Sequence, residues 1–325
     1  MPFESVAGLD AEMSRVASAN DSDIQREIWL LGQPPLTDFL DYVKKGVDGG
    51  DKIDRRVLVD AWRDANDHYY DLEQHEAGIA DTIQCLELPS SLDALAQDLS
   101  DHEHFRNTFD RMPTTFGMVE LDKIVVSQRR VTLPFVDALA SQLGPHTDAV
   151  SLFRFCQPFE RRDPQVEIRR LGNQRYVFMS ASNDLRFHDV VLLGPSQILD
   201  RESCAPVSGA IGAFVGYGSN FLTVIRSDDR MVLHNGYHRA VAMRAAGITH
   251  APCVIQTVTR RDELEVAAAQ PVVDDPAFYF RSARPPVLKD FFDPKIRTIL
   301  RARRTQKHVE VNFEVKEYTV YEGGQ

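Results

Sequence analysis

The sequence lacks any long hydrophobic run. Hydrophobic residues make up 43% of its 325 residues, yet no apolar stretch approaches the roughly 18 residues that a membrane-spanning helix needs. The first residues also lack the basic stretch followed by an apolar one that marks a secretory signal. The four cysteines stand far apart and form no C-x-x-C pair, which favours reduced thiols over a disulfide framework. We therefore expect a cytoplasmic protein with no membrane segment.

The sequence also has fewer basic than acidic residues. The chain has 37 Lys and Arg against 48 Asp and Glu, a formal net charge of −11. Proteins that bind duplex DNA draw much of their affinity from basic side chains that neutralise phosphates, so this charge does not favour DNA as a partner. Residues 295–308 are a local exception, because they are rich in Lys and Arg. This segment is either a DNA contact or, as we favour, a solvated face of a helix.

Patterns typical of metal sites are absent from the sequence. Four histidines occur early in the chain, at His68, His75, His102 and His104. None of them belongs to an H-E-x-x-H motif or has a cysteine partner at metal-ligand spacing. We interpret them as structural or surface residues and assign no metal ligand.

Hydrophobic spacing divides the chain into a helical N-terminal region, an α+β core that contains a β-rich insertion, and a C-terminal extension. The predicted bounds are residues 1–116, residues 117–260 with the insertion at about 145–219, and residues 261–325. The N-terminal region is predicted to include an amphipathic helix at residues 24–31. Strands are predicted for the apolar and β-branched runs near and within the insertion, at residues 150–155, 166–169, 176–179 and 188–193.

The most informative stretch surrounds the tetrad Gly236-Tyr237-His238-Arg239. The apolar residues 231–233 predict a short buried strand before it, and the alanine-rich residues 237–246 predict a helix. Residues 251–255 then predict another strand. A glycine between a strand and a helix lets backbone N–H groups and the positive helix N-terminus face an anion.

His238 and Arg239 would lie in the first turn of that helix, where cationic side chains oppose the helix dipole. A bound phosphate would remove this conflict, so we interpret the turn as a phosphate site. The alternative is that Arg239 is a solvated helix residue, because a Gly-x-His-Arg tetrad also arises by chance.

A similar strand, polar loop and helix occur earlier in the chain. Residues 118–126 have the character of a strand, and residues 127–130 are polar. Residues 133–143 return to helical spacing, which stops at Gly144-Pro145. We expect this segment to be the structural partner of the tetrad.

The chain resembles the ParB/sulfiredoxin superfamily in two places. They are Val119-Glu120-Leu121-Asp122-Lys123-Ile124 with Gln128-Arg129, and Gly236-Tyr237-His238-Arg239-Ala240. The resemblance covers about residues 117–144 and 220–258. It implies a small α+β nucleotide-binding fold, in which the G-x-H-R turn holds nucleotide phosphates and the first strand and loop cover the base or the metal-bound phosphate. Members of the family bind CTP or ATP, usually with Mg²⁺.

On this resemblance, we expect two groups of residues to contact nucleotide phosphates. They are Gly236, Tyr237, His238 and Arg239 at the turn, and Gln128, Arg129 and Arg130 in the earlier loop. The nucleotide would bring Mg²⁺ as its cofactor, with no metal ligand assigned to the protein itself.

The catalytic groups of the family are missing from their usual places. Tyr237 stands where sulfiredoxins have a cysteine and ParB proteins a glutamate, and Gln128 stands where the related free-serine kinases have a glutamate. Neither a phenol near neutral pH nor an amide serves as a general base. Glu120 and Asp122 are the candidate catalytic replacements. The alternative is that both lie on the exposed face of a strand, because they alternate with apolar residues.

The sequence thus predicts a protein that binds a nucleotide, ATP or CTP, with phosphoryl transfer or nucleotide hydrolysis as its candidate activity. Two alternatives remain open. One is a non-enzymatic assembly or regulatory protein that a phosphate ligand controls, with N-terminal or C-terminal arms that contact a protein partner. The other is a ParB-like protein that acts on DNA.

Overall fold

The computed structural model describes residues 21–33, 35–144, 147–158, 165–198 and 206–321, together with Leu9, Met13 and Arg15. The chain forms two compact units. The first unit consists of Met1–Glu160 and Asn220–Arg304, and the second unit consists of Arg161–Ser219 and Thr305–Gln325. Helices and strands are mixed along the chain, which confirms the predicted α+β class.

The helices of the described residues are numbered here in chain order. They are α1 (Leu36–Gly46), α2 (Arg55–Glu76), α3 (Asp93–Asp101), α4 (Glu103–Phe109), α5 (Leu133–Ala140), α6 (Ala149–Cys156), α7 (Tyr237–Ala245), α8 (Arg261–Ala267), α9 (Gln270–Asp274) and α10 (Pro276–Arg281).

The strands are numbered in the same way. They are β1 (Ile24–Leu30), β2 (Cys85–Leu86), β3 (Thr114–Glu120), β4 (Val125–Val126), β5 (Arg130–Thr132), β6 (Glu167–Arg170), β7 (Arg175–Ser180), β8 (Leu185–Leu193), β9 (Ala210–Tyr217), β10 (Thr223–Ser227), β11 (Arg230–Asn235), β12 (His250–Thr257), β13 (Arg297–Arg303) and β14 (Lys307–Asn312).

A six-stranded sheet in the order β2-β3-β12-β10-β11-β4 lies in the first unit. β10 and β11 form an antiparallel hairpin, β12 runs parallel to β10, and β4 runs parallel to β11. Residues 231–233 and 253–255 are at most 3% exposed, because strands in the middle of a sheet are buried on both faces. The strands predicted at residues 231–233 and 251–255 are therefore confirmed.

Helix α7 connects β11 to β12 and packs into the largest hydrophobic cluster. The four residues 240–243, which are Ala, Val, Ala and Met, are fully buried. Gly247 has a φ of +84°, the left-handed conformation that commonly ends a helix. The helix predicted for residues 237–246 is confirmed.

A second sheet of the first unit joins distant parts of the chain. β1 lies between β13 and β5 and pairs antiparallel with both. The prediction of a helix at residues 24–31 is therefore wrong. Residues 28–31 are apolar at every position and at most 7% exposed, so they fit a doubly buried strand as well as a buried helix. Pairing with β13 and β5, which are distant in sequence, makes these residues a strand.

Two further predictions are corrected. Residues 150–155 belong to helix α6 rather than to a strand, and Asp148 caps this helix by accepting a hydrogen bond from the Ser151 N–H at 3.0 Å. The basic residues 295–308 are not a helix face, because most of them belong to β13 and β14. Arg297 in β13 is only 1% exposed.

The boundaries of the two units also differ from the predicted domains. The insertion starts at Arg161 rather than at about residue 145, because α6 buries Leu152 and Cys156 in the core of the first unit. The N-terminal residues 1–116 are not a separate helical region, since β1 shares a sheet with β13. The C-terminal extension divides after Arg304, because β13 pairs with β1 whereas β14 pairs with β7.

The second unit contains two small sheets. One has the order β14-β7-β6, and the other is the two-stranded hairpin of β8 and β9. The strands predicted at residues 166–169, 176–179 and 188–193 are confirmed. None of the helices in the described ranges is long and apolar enough to cross a membrane.

A buried ion pair stabilises the region between α10 and β13. Arg284 and Asp290 form two bonds, Nη1 to Oδ2 at 2.9 Å and Nη2 to Oδ1 at 2.6 Å, and both side chains are almost fully buried. Asp290 also accepts hydrogen bonds from the Val287 N–H at 2.9 Å and the Tyr69 hydroxyl at 3.3 Å. The Arg284 Nε donates to Glu76 at 3.1 Å.

We expect Asp290→Ala to lower the free energy of unfolding by about 3–5 kcal/mol, because it leaves the buried guanidinium without its counter-charge. Asp41→Ala is the control, since it breaks an exposed pair with Lys45 and should cost about 1 kcal/mol or less. Urea unfolding followed by circular dichroism measures both. An Asp290→Ala variant as stable as the control would contradict this role for the pair.

Candidate functional site

The turn before α7 requires glycine. Gly236 has a φ of +93°, and a Cβ built on it would lie 2.5 Å from Leu222 Cδ1. The Asn235 side chain accepts a hydrogen bond from the Gly236 N–H at 2.9 Å and fixes the turn. No side chain caps the N-terminus of α7, and its first turn contains no acidic residue. Helix α7 therefore begins at Tyr237, directly after the glycine turn, as the sequence predicts.

Tyr237 holds the loop that precedes β5. Its hydroxyl accepts a hydrogen bond from the Ser127 N–H at 3.1 Å and lies 2.9 Å from the Ser127 Oγ. The same hydroxyl donates to the Leu233 carbonyl at 2.5 Å. Burial raises the pKa of Tyr237, so the phenol stays neutral. Tyr237 thus connects α7 to Ser127.

His238 holds the end of β5, the strand that follows this loop. Its Nε2 accepts a hydrogen bond from the Thr132 N–H at 3.0 Å, which places the ring proton on Nδ1. The edge of the ring packs against Phe135 with 5.0 Å between centroids. Burial, with a smaller contribution from Arg239, lowers the pKa of His238 to about 4. The sequence led us to expect a phosphate ligand here, whereas the structure gives His238 the role of a neutral acceptor.

Arg239 points into the protein and is 6% exposed, so it is not a solvated helix residue. Its Nη1 donates to the carbonyls of Cys156 at 2.6 Å and Phe155 at 3.3 Å, at the C-terminus of α6. A cation is favoured at that end of a helix dipole. Burial lowers the pKa of Arg239 to about 10. Its Nη2 is buried beside the Gly236 turn and has no hydrogen-bond partner in the described part of the chain.

The loop held by Tyr237 forms one wall of a small cleft that is partly open to solvent. The cleft lies within the first unit, and its lining residues are Leu30, Gln33, Tyr69, Val126, Ser127, Gln128, Arg129, Phe278, Tyr279 and Pro286. Of the predicted phosphate ligands, Gln128 and Arg129 line it. Arg130 does not, because its guanidinium lies 4.9 Å from the centroid of the Tyr42 ring and 3.6 Å from Glu27.

The polar groups of the cleft differ in how they are held. The Gln33 Nε2 donates to the Arg284 carbonyl at 3.2 Å, whereas its buried Oε1 has no hydrogen-bond partner among the described residues. The Gln128 Nε2 donates to the Arg130 carbonyl at 2.5 Å. The Arg129 side chain is 35% exposed and contacts Asp38 at 3.1 Å. The cleft lining therefore includes one partly exposed cation, one acceptor of fixed orientation and three aromatic residues.

Sequence reasoning missed Gln33, Tyr69 and Tyr279 as site residues. Nothing in local spacing relates them to residues 127–129, because β1, α2 and α10 reach the cleft from three distant parts of the sequence.

Glu120 and Asp122 lie at the other end of α7. The Asp122 carboxylate accepts a bond from the Arg244 Nε at 2.9 Å, and Arg244 is about 12 Å along the helix from Gly236. Glu120 pairs with Lys123 at 3.2 Å and accepts the Gln84 N–H at 3.0 Å. The structure does not bring either carboxylate together with the tetrad or the cleft lining.

The cleft does not fit a resident divalent cation. None of the ten lining residues is acidic, and the described ranges contain no group of three His, Cys, Asp or Glu arranged to hold a metal. Mg²⁺ prefers carboxylate and phosphate oxygens. A Mg²⁺ ion here would need a ligand's phosphates and water.

Comparisons of the chain with protein-family models, with curated proteins and with solved structures found no match.

We expect His238→Gln to reduce the acid sensitivity of the fold while retaining an acceptor for the Thr132 N–H. Because the pKa of His238 is about 4 in the folded chain and about 6.5 when unfolded, protonation favours unfolding. The neutral ring stabilises the fold fully above about pH 6.5, and this contribution falls by roughly 2 kcal/mol by about pH 5. Urea unfolding at about pH 7.5 and 5 tests the difference. Equal losses of stability in both proteins would contradict it.

Proposed function

We propose that the protein binds a nucleoside triphosphate, ATP or CTP, in the cleft. The observation that carries the proposal is that two polar groups line one cleft. They are the partly exposed Arg129 and the Gln33 Oε1, which has no hydrogen-bond partner among the described residues. The same cleft is lined by Tyr69, Phe278 and Tyr279. Aromatic walls suit a flat base, and a cation at the rim suits its phosphates. The family resemblance of residues 117–144 and 220–258 supports the same ligand class.

The base is proposed to contact Gln33. The Gln33 amide is oriented by the bond from its Nε2 to the Arg284 carbonyl, so the Oε1 can only accept. Adenine and cytosine carry an exocyclic amino group that donates, whereas guanine and uracil present a carbonyl at the corresponding position. An acceptor of fixed orientation therefore favours ATP and CTP.

The phosphates are proposed to contact Arg129, where they would compete with Asp38. In this proposal the tetrad positions the segment that contains Arg129. Tyr237 holds Ser127 before Arg129, and His238 holds Thr132 after it. Arg239 contributes by anchoring α6.

No reaction is included in the proposal, since Glu120 and Asp122 are remote from the cleft lining. A regulatory role fits better, in which the nucleotide controls the assembly of the protein. Mg²⁺ would come with the triphosphate. Binding to DNA has less support, because Arg297 in the basic segment is buried and net charge opposes it.

We expect ATP or CTP to raise the melting temperature of the wild-type chain, because a ligand that binds only the folded state stabilises it. Arg129→Ala should weaken binding of both by about tenfold or more, the loss of one charge-assisted hydrogen bond. Arg130→Gln is the matched control, one residue away and outside the cleft lining, and should bind like the wild type. Titration calorimetry with and without Mg²⁺ gives the affinities. A wild type that binds none of the four common nucleoside triphosphates would refute the proposal.

Gln33→Leu tests the choice of base separately. It should lower the affinities for ATP and CTP by roughly three- to tenfold, the contribution of one neutral hydrogen bond. The affinities for GTP and UTP should remain unchanged. Arg129→Ala serves as the comparison, because it should weaken all four nucleotides by a similar factor. If Gln33→Leu lowered all four affinities equally, its amide would have no part in base selection.

A further inference from the structure

The second unit exposes an unusual amount of apolar surface. Fifteen large hydrophobic side chains are exposed in the described residues, and eleven of them lie in the second unit, which holds about a quarter of the chain. The four hydrophobic core clusters consist only of residues from the first unit. Much of the exposed apolar surface of the described residues thus belongs to the second unit, and contiguous apolar patches mark interaction surfaces.

The hairpin of β8 and β9 presents the most continuous part of this surface. Phe187 pairs with Val215, Val190 with Ala213, and Leu192 with Ile211. Residues directly opposite in an antiparallel pair lie on the same face, so these six apolar side chains share one face of the hairpin, which ends at the buried Leu185 and its partner Tyr217. Leu192 and Ile211 are 80% and 63% exposed. We call this surface the hairpin face.

The C-terminal arm, residues 313–321, adds to the exposed apolar surface. It follows β14 and forms no helix or strand. Four of its side chains, Val315, Tyr318, Val320 and Tyr321, are each at least 66% exposed. β-branched and aromatic residues favour an extended conformation that packs on a sheet.

The charge of the second unit suits association with itself. Its sequence has nine Lys and Arg against ten Asp and Glu, a net charge of −1, so the other ten negative charges of the chain belong to the first unit. Two first units repel each other, whereas two second units do not. A dimer with two-fold symmetry uses the same patch on both copies, and an apolar face meets its own copy without like-charge repulsion.

The available area also fits a dimer. A face of nine residues on two strands measures roughly 30 Å by 10 Å, or about 300 Å². A standard interface needs about 800 Å² from each partner. Two exposed tyrosines of the arm add roughly 300–500 Å². The hairpin face alone is too small, whereas the hairpin face and the two tyrosines together offer about 600–800 Å², which reaches the standard size at its upper end.

We propose that the second unit is a homodimerisation module, in which the hairpin face and the C-terminal arm pack against the same surface of a second copy of this chain. The observations that carry this proposal lie in the second unit and do not depend on the nucleotide cleft.

Sedimentation velocity of the full chain over about 1–100 μM tests the proposal, since standard interfaces give affinities in this range or tighter. We expect the wild type to sediment as a dimer. The double variant Leu192→Lys with Ile211→Lys places four charges in the interface and should raise the dimer dissociation constant at least a hundredfold. The matched control is Tyr70→Lys with Val266→Lys, which makes the same change at two exposed apolar residues of the first unit. The control should remain a dimer.

Tyr318→Ser with Tyr321→Ser keeps the proposal testable if the hairpin variant fails to fold. Both tyrosines lie outside helices and strands, so the change should not affect folding, and it should weaken the dimer about tenfold or more. A wild type that remains monomeric at the highest concentration would overturn the proposal. So would a folded hairpin variant that dimerises like the wild type, or a control that dissociates to the same extent.

Discussion

The glycine turn at residue 236 determines how the rest of the site is built. Its positive φ and missing Cβ let α7 start directly after β11, with Leu222 in van der Waals contact. From that first turn, Tyr237, His238 and Arg239 extend to three different segments, which are Ser127, Thr132 and the C-terminus of α6. Each contact is a hydrogen bond of modest net strength, about 1 kcal/mol. The first two hold both ends of residues 127–132, whose irregular part, residues 127–129, forms one wall of the cleft.

Two buried arginines of the first unit are accommodated in different ways. Arg284 has a carboxylate partner in Asp290, and the pair is completed by Glu76 and a backbone N–H. The charge of Arg239 is balanced only by helix carbonyls in the described structure, and burial accordingly lowers its pKa to about 10. An arginine engaged in this way supports packing rather than a ligand. In the proposed complex, the anion would instead contact the partly exposed Arg129, two residues after the Ser127 that Tyr237 holds.

The sequence predicts the local part of this arrangement well. Apolar runs and the Asn235-Gly236 break indicate β11, α7 and β12, because short-range propensity and a glycine requirement act there together. The same reasoning assigns residues 24–31 to a helix and residues 150–155 to a strand. Both are short apolar runs, and their type is decided by partners distant in sequence, β13 and β5 for the first and the core around Cys156 for the second. The roles of His238 and Arg239 could not be predicted either, since burial converts a titratable side chain and a cation into structural groups. Gln33 reaches the cleft only through the tertiary fold.

Hydrogen exchange of the backbone amides, measured by mass spectrometry with and without saturating ATP or CTP, tests the central claim most directly. The account predicts that nucleotide protects residues 126–129 and 278–279, which line the cleft, and leaves the first turn of α7 at residues 236–240 unchanged. Protection confined to residues 236–240 would place the phosphates at the helix N-terminus and contradict the account. Absence of protection anywhere in the first unit would contradict nucleotide binding itself.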